Sequence, residues 1–143
     1  MPFADNTTEL IGKRLLFETM YGNGWMLYRP GQPIHEIEPP PHFDGSLTEI
    51  IVDEGEVRAL VCKMDVTIAG HSFWWGSFIA RSDLIIDLNH ERVVSNLLLS
   101  KEKPTLSSEH PYGHPGFVKP NSEINIRGFG ILSLSKNTSN DKK

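Results

Sequence analysis

Lys63, Asp65 and His71 are the residues of this chain whose types and spacing best suit acid–base chemistry. They interrupt two runs of β-branched and aromatic residues that are typical of strands. If the apolar odd-numbered positions before them face inward, period-two alternation puts Lys63 and Asp65 on one interior wall. An ammonium and a carboxylate held there could donate and accept a proton. The alternative is an exposed ion pair near a strand end, which contributes little to stability.

His71 begins the next strand-like run, and its imidazole titrates near neutral pH, as a general acid or base must. The alternative interpretation is a histidine at the rim of a turn, without a chemical role. The sequence leaves both interpretations open.

The aromatic residues of the same run predict a flat apolar wall. Alternation puts Phe73 and Trp75 on one face and Trp74 and Phe78 on the other, so at least one tryptophan is expected inside. Such a wall suits an aromatic or terpenoid-like ligand, although core packing without a ligand explains the pattern equally well. The residues predicted to contact a ligand are Tyr21, Trp25, Tyr28, His42, Phe73 and Trp75.

The histidine spacings do not predict a metal site. His110 and His114 are four residues apart, but proline and glycine between them exclude the helix on which that spacing would bind a metal. His35 and His42 lie in another proline-rich segment without a third ligand. Glycine-rich nucleotide motifs and the G-x-S-x-G nucleophile motif are absent from the sequence. We therefore expect neither a metal nor a cofactor.

The composition is that of one globular domain. The 143 residues are 38% hydrophobic and 22% charged, and we predict a single domain at 1–135 with a disordered polar tail at 136–143. The net charge of −4 argues against a nucleic-acid partner, and no run approaches the roughly 20 apolar residues of a membrane helix. Cys62 is the single cysteine and is expected to be buried, and without a signal sequence the prediction is a cytoplasmic protein.

The elements that must position these residues are predicted to be strands. The stretch Gly55–Ser100 organises the chain and reads as four successive strands, separated by Ala69-Gly70, Arg81-Ser82-Asp83 and Asn89-His90-Glu91. Such a meander is the middle of an antiparallel sheet or barrel.

A first β-hairpin is predicted over Lys13–Tyr28, because Gly22-Asn23-Gly24 tolerates the positive φ of a tight turn. Two proline-rich segments, Arg29–Gly45 and Lys101–Asn121, are predicted to be long loops, and the first could close over a cavity. The remaining predicted elements are a short helix at Asn6–Leu10 and strands at Leu47–Val52 and Ser122–Ser135. The fold class is therefore all-β, as an antiparallel up-and-down barrel of about eight strands. A two-sheet sandwich is the alternative.

Short motifs along Gly12–Ser100 carry a family resemblance. They are Gly12-Lys13-Arg14-Leu15, Asn23-Gly24-Trp25, Leu84-Ile85-Ile86-Asp87-Leu88 and Arg92-Val93. In this order they resemble the small calycin, or lipocalin-like, barrels that include phenolic acid decarboxylases and proteins related to molybdenum-cofactor biosynthesis protein F. The resemblance implies a barrel with a ligand cavity and no cofactor.

The phenolic acid decarboxylase pattern carries over only in part. The resemblance implies first-strand tyrosines near Phe17 and Thr19, where this chain has none, although Tyr21 could enter the pocket instead. The implied arginine falls within Leu47–Val52, which contains none, and the proton-handling glutamate falls close to Asp65. The resemblance therefore favours the barrel and Asp65 more than hydroxycinnamate as the substrate.

The function predicted from the sequence is a small cofactor-independent enzyme. It would bind an apolar cyclic or aromatic metabolite and act as a lyase or isomerase, with Asp65 as the acid or base and Lys63, His71 or Tyr28 positioning the substrate. The alternative is a non-catalytic carrier of lipocalin type, and a barrel with a filled interior is a third interpretation. Association into a homodimer is also compatible with the sequence.

Overall fold

The computed structural model describes residues 3–20, 25–81, 83–106, 118–119 and 123–135. Within them a 3-10 helix, Asp5–Leu10, precedes the β-strands. The strands are β1 (Arg14–Thr19), β2 (Met26–Tyr28), β3 (His35–Glu36), β4 (His42–Asp53), β5 (Glu56–Ile68), β6 (His71–Ala80), β7 (Val93–Ser100), β8 (Thr105–Leu106), β9 (Val118–Lys119) and β10 (Asn125–Leu134). In this described part, no helix is long and apolar enough to cross a membrane.

Six strands close into an antiparallel barrel in the order β1-β4-β5-β6-β7-β10, and β10 pairs back with β1. Strands β2 and β3 extend the same sheet, whereas β8 and β9 form a separate pair. The prediction of an all-β antiparallel barrel is confirmed, with six strands in the closed wall where the sequence indicated about eight. A small closed barrel of this kind is consistent with a calycin-like fold.

Three of the four strands predicted in Gly55–Ser100 are present, as β5, β6 and β7. Because β6 pairs directly with β7, the chain between them has no place in the ladder. The predicted strand around Leu84–Leu88 is therefore wrong. Ile86 instead forms an isolated bridge with Phe3, and both side chains are buried in the core.

The predicted hairpin over Lys13–Tyr28 is also wrong. Strand β1 pairs with residues 130–134 of β10 and β2 pairs with residues 125–127, both antiparallel. The two strands therefore run in the same direction, one after the other, along β10. Residues 21–24, which were predicted to form the turn, lie outside the described residues.

The chain reverses at Arg29-Pro30-Gly31-Gln32, between β2 and β3. The amide of Gln32 donates to the carbonyl of Arg29 at 3.3 Å, and Gly31 has a φ of +68°. Proline followed by a glycine with positive φ is the signature of a type II turn. Strand β3 then pairs with β2, so the predicted loop Arg29–Gly45 contains a turn, a short strand and the start of β4.

Prolines explain why the strand after this turn is interrupted. The amide of Thr19 donates to the carbonyl of Pro41 at 2.9 Å, and the amide of Ile37 donates to the carbonyl of Trp25 at 3.0 Å. Between these bonds lie Pro39 and Pro40, which have no N–H to donate to a ladder. The chain therefore has two consecutive residues here that cannot donate a ladder hydrogen bond, and we call Pro39-Pro40 the wall break.

Large side chains fill the barrel interior by packing over glycines on the neighbouring, hydrogen-bonded strands. A Cβ placed on Gly128 would lie 2.3 Å from the Trp25 ring, and one on Gly76 would lie 2.4 Å from the sulfur of Met64. Both Trp25 and Met64 are buried. The narrow interior therefore accepts them only because the opposing residues lack side chains.

The second predicted loop, Lys101–Asn121, lies mostly outside the described residues, although its described parts include the paired strands β8 and β9. The predicted disordered tail at 136–143 also lies outside the described residues.

One end of the barrel is closed by the N-terminal segment and the β6–β7 connection. The amide of Phe3 donates to the carbonyl of Val57 at 2.8 Å, and the amide of Ala4 donates to that of Ile86 at 2.7 Å. Next to this contact, the backbone amide of Asn89 donates to a carboxylate oxygen of Asp87 at 2.9 Å. This bond holds the pKa of Asp87 below its ordinary range, and the Asn89 and Asn6 side chains also lower it.

We expect Gly128→Ala to destabilise the barrel by about 1–3 kcal/mol, because the new methyl group overlaps the Trp25 ring. Chemical denaturation of the single variants and of Gly128→Ala/Trp25→Phe measures this effect. A smaller ring at position 25 relieves the overlap, so the double variant should lose less than the sum of the single losses. The control is Ser133→Ala on the same strand, expected to change stability by less than about 0.5 kcal/mol. Additive losses would contradict the steric explanation.

We expect Asp87 to stabilise the protein only where it is ionised. Its folded-state pKa lies below the unfolded value, so its contribution is complete above the unfolded pKa and disappears as pH falls through the folded pKa. The difference in unfolding free energy between wild type and Asp87→Asn should therefore be constant above about pH 5 and change at lower pH, to the disadvantage of wild type. Denaturant titrations across this range measure it. A wild-type advantage that grows on acidification would contradict the assignment.

Candidate functional site

Lys63 and Asp65 lie on the outside of the barrel, so their predicted inward orientation is wrong. Both side chains are exposed, whereas the even-numbered positions of β5 from Leu60 to Ile68 face the interior. The prediction failed because it took the apolar odd-numbered residues before Lys63 to face the interior. Ala59 and Val61 belong to a second buried cluster on the outer face of the sheet, with Leu98 beside them.

Both tryptophans of β6 also lie outside the barrel, which corrects the prediction that one would enter it. The pairing register shifts between Lys63 opposite Trp75 and Val66 opposite Phe73, so β5 has two residues where β6 has one. Such a bulge breaks the alternation of side chains. Phe73 is in the core and Trp74 is 44% exposed, and Trp75 packs on the outer cluster.

Two lysines cover Trp75 on this outer face. The ammonium of Lys63 lies 5.7 Å from the Trp75 ring centroid, and that of Lys103 lies 5.9 Å from it. Lys103 also forms an ion pair with Glu49. Trp75 is therefore half-buried by its own chain and does not line the interior as predicted.

Phe73 and His71 are the predicted site residues that the structure brings together. Their ring centroids are 6.3 Å apart, with Phe73 buried and His71 half-buried. The ammonium of Lys101 lies 5.2 Å from the Phe73 ring and donates to the carbonyl of Ser72 at 3.0 Å. Lys63 and Asp65 do not converge with this pair in the interior.

The remaining predicted ligand contacts are dispersed. Tyr28 is half-buried, and the guanidinium of Arg127 lies 5.6 Å from its ring on the outer face. His42 is exposed at the start of β4. Tyr21 lies outside the described residues.

Trp25 is the predicted ligand-contacting residue at the centre of an interior cluster. It is 1% exposed and contacts Phe17 and Phe43 edge-on, with ring centroids 6.1 and 6.5 Å away. Phe17 also lies 5.4 Å from Phe43 and 5.3 Å from Phe78. We call these four rings the aromatic cluster. The site prediction missed Phe17 and Phe43, although Phe17 could have been found from its alternation with the charged residues Arg14 and Glu18 in β1, which are only half-buried.

The aromatic cluster contains one polar hydrogen that has no acceptor in the described part of the chain. The indole Nε1 of Trp25 is buried and has no hydrogen-bond partner there. A buried donor in this condition needs a physical explanation, such as an ordered water or a bound molecule. The cluster lies next to the wall break, because the Trp25 carbonyl accepts from the amide of Ile37 just before these prolines and Phe43 is in β4 just after them.

The interior also contains Cys62, whose thiol is fully buried. Burial raises the pKa of this thiol far above its ordinary range, and the positive charge of Arg14 opposes that shift only in part. Because the thiolate is the reactive form, Cys62 is not suited to act as a nucleophile. Within the described ranges, no group of three or more His, Cys, Asp or Glu side chains is placed to hold a metal ion.

No protein-family model, curated protein or solved structure matches this chain. The resemblance to phenolic acid decarboxylases and related lipocalin-like proteins therefore stays a prediction beyond the barrel itself.

We expect Cys62 to resist thiol reagents in the folded protein, because it is buried and protonated. Reaction with an aromatic disulfide at mildly alkaline pH measures this, and labelling should proceed only at the rate of unfolding. A Thr67→Cys variant, whose new thiol would lie at an exposed position of the same strand, should react at once at that position. Rapid labelling of Cys62 without unfolding would contradict the buried assignment.

Proposed function

We propose that this protein is a small-molecule binding barrel that holds an apolar cyclic or aromatic compound at the aromatic cluster, through a hydrogen bond from Trp25. The observation that carries the proposal is the buried indole Nε1 of Trp25, which has no partner among the described residues. Leaving such a donor unpaired costs about 1–3 kcal/mol, which a bound carbonyl, ether or carboxylate oxygen would offset.

The narrow barrel indicates where the compound would lie. About eight strands are needed before a barrel interior holds a small ligand, and here six strands enclose an interior already filled by large side chains. A ligand therefore fits best at the wall, where Phe43 is only half-buried. Rotation of that ring would open a path to Trp25 through the wall break.

The chemistry around Trp25 favours binding over turnover. The groups predicted to transfer protons, Lys63 and Asp65, face solvent on the outer wall, away from the aromatic cluster. The rings that surround Trp25 supply apolar contact and no acid or base. Of the two functions predicted from the sequence, the carrier is therefore the better supported.

A protein of this kind should prefer ligands that accept a hydrogen bond. We expect α-tetralone, coumarin or camphor to raise the melting temperature, and α-tetralone to bind about five- to tenfold more tightly than its hydrocarbon counterpart tetralin. Calorimetry or tryptophan fluorescence measures the two affinities. Trp25→Phe should remove the preference for the ketone, because it deletes the donor and keeps an apolar ring.

Trp75→Phe is the matched control, since Trp75 lies on the outer wall, and it should keep the preference. Phe43→Leu is a second variant at the wall break, and it should change the affinities for ketone and hydrocarbon by the same factor. Equal binding of ketone and hydrocarbon to wild type, or no binding of any of these compounds, would contradict the proposal. Mass spectrometry of the recovered ligand separates the functions, because a chemically altered compound would favour the enzyme.

A further inference from the structure

The bulge in β5 and β6 creates a second candidate site, on the outer wall. Because Phe73 and Gly76 both face the interior, the two residues between them, Trp74 and Trp75, are both displaced to the outside. Bulges commonly re-aim side chains in this way at functional positions. Two lysine ammonium groups lie over Trp75, which leaves Trp74 as the aromatic surface presented to solvent.

Trp74 is bordered by hydrogen-bonding groups of both kinds. Asp65 lies opposite it in the bulge and is exposed, as are Lys63 and Thr67 on the same strand. The hydroxyl of Thr67 lies 3.3 Å from that of Ser72. These side chains offer a carboxylate acceptor, an ammonium donor and two hydroxyls that both donate and accept. We call Lys63, Asp65, Thr67, Ser72 and Trp74 the Trp74 surface.

We propose that the Trp74 surface binds a saccharide. A sugar ring has an apolar C–H face that stacks on an indole, and its equatorial hydroxyls extend sideways as donors and acceptors. The Trp74 surface has the complementary arrangement, with one exposed aromatic plane and short polar side chains around its edge. Recognition by one aromatic plane and a few placed polar groups is the usual pattern of small-ligand sites.

Charge and composition separate this occupant from two others. A nucleic acid requires a strongly positive surface, whereas the carboxylates of Asp65 and Glu49 offset part of the lysine charge on this wall and the chain has a net charge of −4. A protein partner or a second copy requires an apolar centre several residues wide. On the Trp74 surface, Trp74 is the single large apolar side chain, and its neighbours are polar.

The test is a titration of the full-length protein followed by the indole N–H signals in two-dimensional NMR. The chain has three tryptophans, so each signal can be assigned with one Trp→Phe variant. The probes are the hexasaccharides of β-linked glucose, β-linked N-acetylglucosamine, β-linked mannose and α-linked glucose, each to about 10 mM, which detects dissociation constants in the millimolar range. We expect at least one probe to shift the Trp74 signal saturably and leave the Trp25 signal unchanged.

Variants then test the assigned contacts. When binding is followed by backbone amide signals, which every variant has, Trp74→Phe and Asp65→Asn should each weaken binding of that probe about tenfold, a loss that corresponds to one well-placed interaction. Ile85→Ala removes an exposed apolar side chain elsewhere and should leave binding unchanged. Because these substitutions are at exposed positions, an unchanged melting temperature confirms that each variant is folded.

Three results would overturn the proposal. The Trp74 signal does not move with any hexasaccharide; it moves with protein concentration alone, which would indicate a second copy; or it moves only with single-stranded oligonucleotide. None of these results depends on whether the aromatic cluster binds a ligand, because the Trp25 signal reports that site separately.

Discussion

The steric constraint on which this structure depends is the packing of large interior side chains over glycines on the neighbouring, hydrogen-bonded strand. Trp25 lies against Gly128 and Phe17 against Gly130, at distances where any Cβ would overlap the rings. Both glycines are in β10, which pairs with β1 and β2, and six strands enclose a narrow interior, so the rings need the space that the missing side chains leave. Gly128 and Gly130 are two residues apart on the inward face of β10, and each leaves room for one aromatic ring.

The same constraint limits where a ligand can be held. A wide barrel holds its ligand on the central axis, but here the axis is filled by side chains that interlock with glycines. Pro39 and Pro40 cannot donate hydrogen bonds to a neighbouring strand, and they adjoin the aromatic cluster, because the Trp25 carbonyl accepts from the amide of Ile37 just before them. The proposed ligand path therefore follows the position of these prolines and not the barrel axis.

The fold class and the strands β5, β6 and β7 could be predicted from the sequence, because their β-branched and aromatic runs are long and end at clear turn residues. The relative direction of the first two strands could not. Gly22-Asn23-Gly24 and Pro30-Gly31 are both good turn sequences, and β1 and β2 run in the same direction because both pair antiparallel with the distant β10. The prediction that Lys63 and Asp65 face inward failed for a related reason, because the apolar residues before them belong to the outer cluster around Val61. A sequence pattern shows that a face is buried, but not on which side of the sheet it is buried.

The bulge opposite Trp74 has the largest consequence for function, and it leaves no mark on the sequence. One extra residue in β5 shifts the register, so that both consecutive tryptophans face outward and Trp25 is the tryptophan that the interior contains. The Trp25 indole is therefore buried and enclosed by rings, whereas the Trp74 ring is exposed on a wall that also presents Asp65 and Thr67. A buried N–H donor that has no partner among the described residues favours a ligand that is apolar except for a hydrogen-bond acceptor, because burying other polar groups there without partners would be costly. An exposed ring among hydroxyls and charges instead favours a polar, hydrated partner. Such a partner can form hydrogen bonds in place of those made by the water molecules that binding displaces.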